Sequence, residues 1–152
     1  MDLDRLFELA NLLALTGWVA LLLSPLLPRV SQVYAGMAVP VVLATLYTAL
    51  ALAFWGSTSG GFGSLEQVAA LFASPPILLA GWVHYLAFDL MVGAWEVRRA
   101  RAESIAFVLV VPCLVLTFLF GPAGLLVFFG VRLAVRLSRG RLHKTAKETS
   151  HD

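Results

Sequence analysis

Apolar runs separated by short polar turns fill most of the chain, and their lengths are those of membrane-crossing helices. The first run extends from about Leu6 to Leu27 and is ended by Ser24, Pro25 and Pro28. At about 1.5 Å per residue it is long enough to cross roughly 30 Å of hydrocarbon. A second run, from about Val33 to Trp55, carries Pro40 in its first half, which predicts a kink because proline removes a backbone donor. Tyr34, Tyr47, Phe54 and Trp55 lie toward its ends in the manner of an interfacial aromatic belt. A Gly and Ser loop, Gly56 to Gly63, leads to Ser64 and Gln67, whose capping-box spacing predicts a short surface helix. Ser74 followed by Pro75 opens a third span that ends near Val97. Ser104 opens a fourth, Ile105 to Val131, interrupted at Pro112 and again at Gly121 with Pro122. The predicted fold is all-α, an integral membrane bundle of four transmembrane helices with a short helix in the second loop. Residues 1–137 form the transmembrane domain, and 138–152 are expected to be a basic, disordered tail.

Composition agrees with this pattern. Hydrophobic residues make up 60% of the chain and charged residues 13%, and Val30 to Leu65 contain no Asp, Glu, Lys or Arg, which marks a membrane protein. The net charge of +2 arises mostly near the C-terminus, so it reads as a juxtamembrane anchor, and a nucleic-acid partner is excluded. Arg132, Arg136 and Arg139 fall on one helical face and are expected to snorkel to lipid headgroups. The lone Cys113 supports neither a disulfide nor a zinc pattern. The opening MDLDRLFEL is acidic where a signal peptide is basic, so the first run is expected to be a retained helix. With four spans, the basic residues from Arg132 to Lys147 share a side with the N-terminus, and the positive-inside rule then favours both termini in the cytoplasm.

Candidate chemistry is concentrated in the third span, which carries His84 and Asp89 within GWVHYLAFDLMVGAW. An ionisable group there costs roughly 2.5–3.5 kcal/mol on insertion scales, so it is read first as functional. The two are five positions apart, which separates them by about 140° around the helix and about 7.5 Å along it. Leu79, Val83, Leu90, Ala94 and Val97 form a purely apolar side that is assigned to lipid. On that assignment the bisector of His84 and Asp89 points into the bundle through Gly81, Tyr85, Phe88 and Val92. His84 as base and Asp89 as acid would suit proton transfer on a lipid-soluble molecule. The alternative is that both are structural groups hydrogen-bonded to neighbours, Asp89 to Tyr85 or to Asn11. Asn11 shares a face of the first span with Glu8, which is read as interfacial. Gly81, Trp82, Tyr85, Phe88 and Asn11 are the candidate binding residues around the pair.

The inventory removes several classes. His143 and His151 lie in the tail, so no membrane di-iron centre or bis-histidine haem can be assembled within the chain, and no metal site is expected. Both lysines, Lys144 and Lys147, are also in the tail, which excludes an intramembrane Schiff base. No nucleotide or phosphate-loop motif is present.

In the third span, Trp82, Val83, His84, Leu86, Asp89 and Leu90 match a pattern of the plant abscisic-acid-deficient-four-like proteins, also called neoxanthin synthases, and their bacterial relatives. Leu65, Val68, Ala69, Phe72 and Ser74 resemble that family's short helix, and Phe120, Pro122 and Gly124 its proline and glycine kink. Asn11, Gly17 and Trp18 are similar to the first span of the bacterial members. Ala94 departs from the arginine expected in many relatives. The resemblance covers the chain to about Arg132 and implies a four-helix membrane protein, of the bacterial inner membrane for a bacterial-type member. It further implies an association with conversion of an epoxide carotenoid to an allenic one. Two functions follow as expectations: a cofactor-independent isomerase of a carotenoid epoxide or related isoprenoid, or a non-catalytic carotenoid- or lipid-binding protein that supports another enzyme. The partners expected are an apolar isoprenoid or lipid ligand and the membrane lipids themselves.

Overall fold

Asp2 opens the first helix, α1 (Leu3–Leu22), by accepting the Arg5 backbone N–H at 3.1 Å, the capping that an aspartate ahead of an apolar run favours. The computed structural model describes residues 2–148, with side chains through Arg141. After a turn, α2 (Pro28–Val33) starts on a proline and passes through a π-helical turn, Tyr34–Ala38, into α3 (Val39–Phe54). Pro40 lacks a donor and its ring crowds the carbonyl four residues back. The wide turn just before it, in which the Val39 N–H reaches back to the Tyr34 carbonyl, opens that space and lets the helix continue. The kink expected at Pro40 therefore takes the form of a π turn. Tyr34 is held to α1 through a 2.8 Å hydrogen bond between its hydroxyl and that of Thr16, so it ties two helices together instead of serving only as an interfacial ring.

A 3-10 turn, Trp55–Ser57, ends this second helical stretch. The short helix α4 (Leu65–Phe72) begins where Ser64 Oγ accepts the Gln67 N–H at 3.2 Å. Gln67 Oε1 in turn accepts the N–H of Gly63 at 3.1 Å, one residue before the expected capping partner. Gly60, at φ +109°, packs so closely on the Gln67 carbonyl that a methyl group would overlap it. The loop is thereby folded back onto α4. Ser74 and Pro75 then start α5 (Pro75–Ala102), which continues five residues beyond the expected end at Val97. Two more helices follow, α6 (Phe107–Phe120) and α7 (Pro122–Glu148). The described residues contain no strand. The helix of α7 includes the first part of the segment read as a tail; the last four residues of that segment lie outside the described residues.

α1, the stretch Pro28–Ser57 and α5 are each long and apolar enough to cross a membrane, and the chain is an all-helical membrane protein. The segment Ile105 to Val131, read from sequence as one fourth span, is instead a helical hairpin. α6 has 14 residues, about 21 Å of helix, short of the roughly 30 Å hydrocarbon core. Pro112 lies inside it without ending it, as neighbouring groups in a bundle permit. The chain reverses at Gly121, whose φ of +47° suits glycine. α7 then returns along α6, with Gly124 directly on the Thr117 backbone. Arg132 and Arg139 of α7 consequently bond to Glu103 and Ser104, just ahead of α6. The two ends of the segment therefore lie together, with the reversal at Gly121 between them. The sequence reading failed because glycine and proline look alike whether they kink a helix or reverse it.

The chain divides into two compact units, one up to Ala94 and one from Trp95 onward. In the first, glycines let α1 and α5 approach closely. Gly17 faces Leu90, and a methyl at Gly93 would lie 2.7 Å from the Trp18 ring and 3.1 Å from Leu21. Small residues at such a seam are the usual means of helix association in lipid. This packing reverses the orientation expected for the third span. Leu79, Val83, Leu90, Ala94 and Val97, assigned to lipid, are all buried, whereas Trp82, His84 and Phe88 face outward, Phe88 with 54% of its surface exposed. In lipid both faces of a helix are apolar, so polarity alone does not say which one packs. Here the face of small and branched residues interlocks with its neighbours.

Candidate functional site

The outward sector of α5 is partly covered by the loop before α4 and by α4 itself. Phe72 lies over Gly81, where any Cβ would come within 2.5 Å of its ring. Together Tyr47, Trp55, Phe62, Phe72, Gly81 and His84 wall a cleft of about 250 Å³ in the first unit. The walls are aromatic or aliphatic apart from the Tyr47 phenol and the His84 imidazole. His84 stacks on Phe88 one turn along at 4.4 Å between ring centres, and its ring lies 5.4 Å from that of Tyr47 on α3. Phe62 is held in the wall by a 5.4 Å ring contact with Trp55.

Asp89 belongs to a different cluster. Its carboxylate is hydrogen-bonded to the Tyr85 side chain one turn back, and the Tyr85 ring lies 5.4 Å from Trp82. Trp82 Nε1 donates to Asn11 Oδ1 of α1 at 3.0 Å, and Asn11 Nδ2 donates to the Phe7 carbonyl at 2.7 Å. The polar line from Asn11 through Trp82 and Tyr85 to Asp89 follows the seam between α1 and α5. One Asp89 oxygen, Oδ2, is buried without a hydrogen-bond partner among the described residues. A second cleft of about 310 Å³, bordered by Asp4, Phe7, Leu78 and Trp82, opens beside this line.

The residues singled out from sequence are thus sorted into two groups. Gly81, His84 and Phe88 belong to the cleft side of α5, while Asn11, Trp82, Tyr85 and Asp89 form the seam. Of the two, His84 lines the aromatic cleft and Asp89 does not. Tyr47, Phe62 and Phe72 were not recognised as site residues. Tyr47 was readable in part, since it lies well inside the stretch Pro28–Ser57, too deep for an interfacial belt.

A further acid went unread in the second unit. Glu96 is fully buried; Thr117 Oγ1 donates to its Oε1 at 3.0 Å, and its Oε2 has no partner among the described residues. The rule that singled out Asp89 applies to it equally. No group of His, Cys, Asp and Glu among the described residues is arranged to hold a metal ion.

These features define a class: an all-helical membrane protein with an aromatic-walled cleft and a separate polar seam on the same helix. The chain belongs to the ABA DEFICIENT 4-like family, whose model matches residues 5–128. Comparisons with curated proteins and with solved structures gave no match.

Proposed function

We propose that the cleft binds the oxygenated end of an apolar isoprenoid, a carotenoid epoxide or a close relative, and that the protein isomerises it without a redox cofactor. The observation that carries this reading is the pair of His84 and Tyr47 on the wall of an otherwise apolar cleft. At about 250 Å³ the cleft suits one ring-sized end group, since pockets for whole drug-sized ligands run from about 300 Å³ upward. The remaining chain of such a molecule would lie along apolar side chains, while its oxygen would find partners that hydrocarbon cannot offer. Opening an epoxide to an allenic alcohol moves protons only: one reaches the ring oxygen and one leaves a neighbouring carbon. The Tyr47 phenol would deliver the first and the His84 imidazole accept the second, after which the proton returns to Tyr47. Asp89, engaged by Tyr85 at the seam, has no part in this step.

Mass spectrometry of molecules co-purifying with the protein, combined with product analysis on the extracted compound, tests the proposal. His84→Ala and Tyr47→Phe should each lower turnover by 10²-fold or more, with Tyr47→Phe still retaining ligand. Unchanged turnover in both variants would remove the pair from the chemistry. Ligand retention without turnover in the wild type would favour the second reading, a carotenoid-binding protein that supports another enzyme.

The topology we propose is three crossings followed by a hairpin that enters the membrane and returns. The side reached at the end of α5 then carries Arg98, Arg99, Arg101, Arg132, Arg136 and Arg139, against Arg5 at the N-terminus. The positive-inside rule assigns that side to the cytoplasm, so the termini no longer share a side. With Cys113 replaced by alanine, cysteines introduced at Ser59 and Gly140 should be labelled from opposite faces. Labelling of both from one face would restore the four-span arrangement.

A further inference from the structure

The most concentrated charge in the protein lies where α5 ends. Between Trp95 and Arg141 the acids are Glu96 and Glu103, and Glu96 is sealed in the interior. Glu103 alone therefore faces four arginines. Arg99 contacts its Oε1 at 2.6 Å, Arg136 reaches the same oxygen at 2.8 Å, and Arg132 donates to both oxygens, from Nε at 3.0 Å. Arg139 donates to the main-chain carbonyls of Glu103 and Ser104 at 2.6 and 2.7 Å. One carboxylate cannot match four guanidinium groups, so the cluster keeps a surplus of positive charge. The hydrogen bonds from Arg132, with that from Arg136, hold the Glu103 carboxyl down to about 2, so it stays ionised at any physiological pH.

The arginines are not equivalent. Arg132 is 11% exposed and lies over the rings of Trp95, Phe128 and Phe129 at 5.5–6.0 Å, which makes it a structural part of the cluster. Arg136 and Arg99 are 59% and 44% exposed. Each guanidinium has five donors in a planar fork, so both retain donors directed outward. Along α7, Leu126, Phe129, Leu133 and Leu137 are exposed at spacings of three and four, which places them on one helical face. A cationic group held beside an apolar stripe matches a phosphate carried on acyl chains. It does not match a free anion, which has no use for the stripe.

We propose that the arginine cluster around Glu103 is a binding site for the headgroup of one anionic phospholipid, whose acyl chains lie along the exposed stripe of α7. The arginines of α7 lie beyond residue 128, where the family match stops. Glu103 acts as the organiser: it fixes Arg132 and aligns Arg99 and Arg136, which individual snorkelling chains would not achieve. A neutral or zwitterionic headgroup offers too little negative charge to balance the surplus.

The full-length protein, purified in detergent and offered phosphatidylglycerol or phosphatidylcholine in mixed micelles, tests this by native mass spectrometry. Phosphatidylglycerol should be retained and phosphatidylcholine lost. Each arginine near an anionic surface contributes about fivefold, so Arg99→Gln with Arg136→Gln should lower phosphatidylglycerol retention by about 25-fold. Arg5→Gln, at the other end of the chain, should leave it unchanged. Arg136→Lys keeps the charge and should restore most of the binding lost in Arg136→Gln. Circular dichroism confirms that each variant compared is folded. Equal retention of the two lipids, or no loss in the double variant, overturns the proposal. Displacement of the lipid by millimolar inorganic phosphate would show a free-anion site and overturn it as well.

Discussion

Replacing Gly124 by alanine should destabilise the second unit by upwards of about 3 kcal/mol, at the top of the range for overpacking. The added methyl would overlap the Thr117 backbone nitrogen, Cα and hydroxyl at once, and a backbone cannot swing aside as a flexible side chain can. α7 would have to move off α6, and Thr117 Oγ1 would lose its place as donor to Glu96. That would leave a fully buried carboxyl with neither oxygen satisfied, a loss that adds to the steric one. Gly130 is the control on the same helix, because a Cβ there meets nothing within 4 Å. Gly130→Ala should be neutral or stabilise by up to about 1 kcal/mol through helix propensity. Thermal unfolding in detergent measures both, and a Gly124→Ala protein as stable as wild type would mean that the hairpin does not close at Thr117.

Gly81→Leu should abolish ligand co-purification, whereas Leu52→Val, at an outward position of α3, should leave it intact. Phe72 already lies against Gly81, so a leucine side chain must either displace that ring or enter the cleft. Both outcomes remove space from about 250 Å³, and little would remain for a ring-sized end group. Because the affected contact is with the short helix α4 and not with the α1 seam, the fold should survive. An undiminished circular dichroism spectrum with loss of the bound molecule is the expected combination. If Gly81→Leu retains its ligand, the cleft is not the binding site, and the second cleft beside Trp82 becomes the one to examine. Val83 is not a suitable control, since it is fully buried and enlarging it would overpack the core.

Much of this protein was legible from its residues. Long uncharged runs dictate helices that satisfy their own backbone in lipid, so the membrane class and the three long helices followed from pattern alone. Ser64, Ser74 and Pro75 marked helix starts through local chemistry, and local chemistry needs no knowledge of neighbours. The family pattern around Trp82, His84 and Asp89 was likewise a matter of order and spacing. Three things were decided only by tertiary contacts. Which face of α5 packs was settled by Gly17 and Gly93 against Leu90 and Trp18, because in lipid an apolar face carries no mark of whether it meets helix or hydrocarbon. Whether Gly121 and Pro122 kink or reverse the chain was settled by Gly124 on Thr117 and by Arg132 and Arg139 reaching back to Glu103 and Ser104. The separation of His84 from Asp89, and the pairing of His84 with Tyr47 from α3, depended on how the helices pack side by side, and spacing along one helix holds no information about the helix beside it.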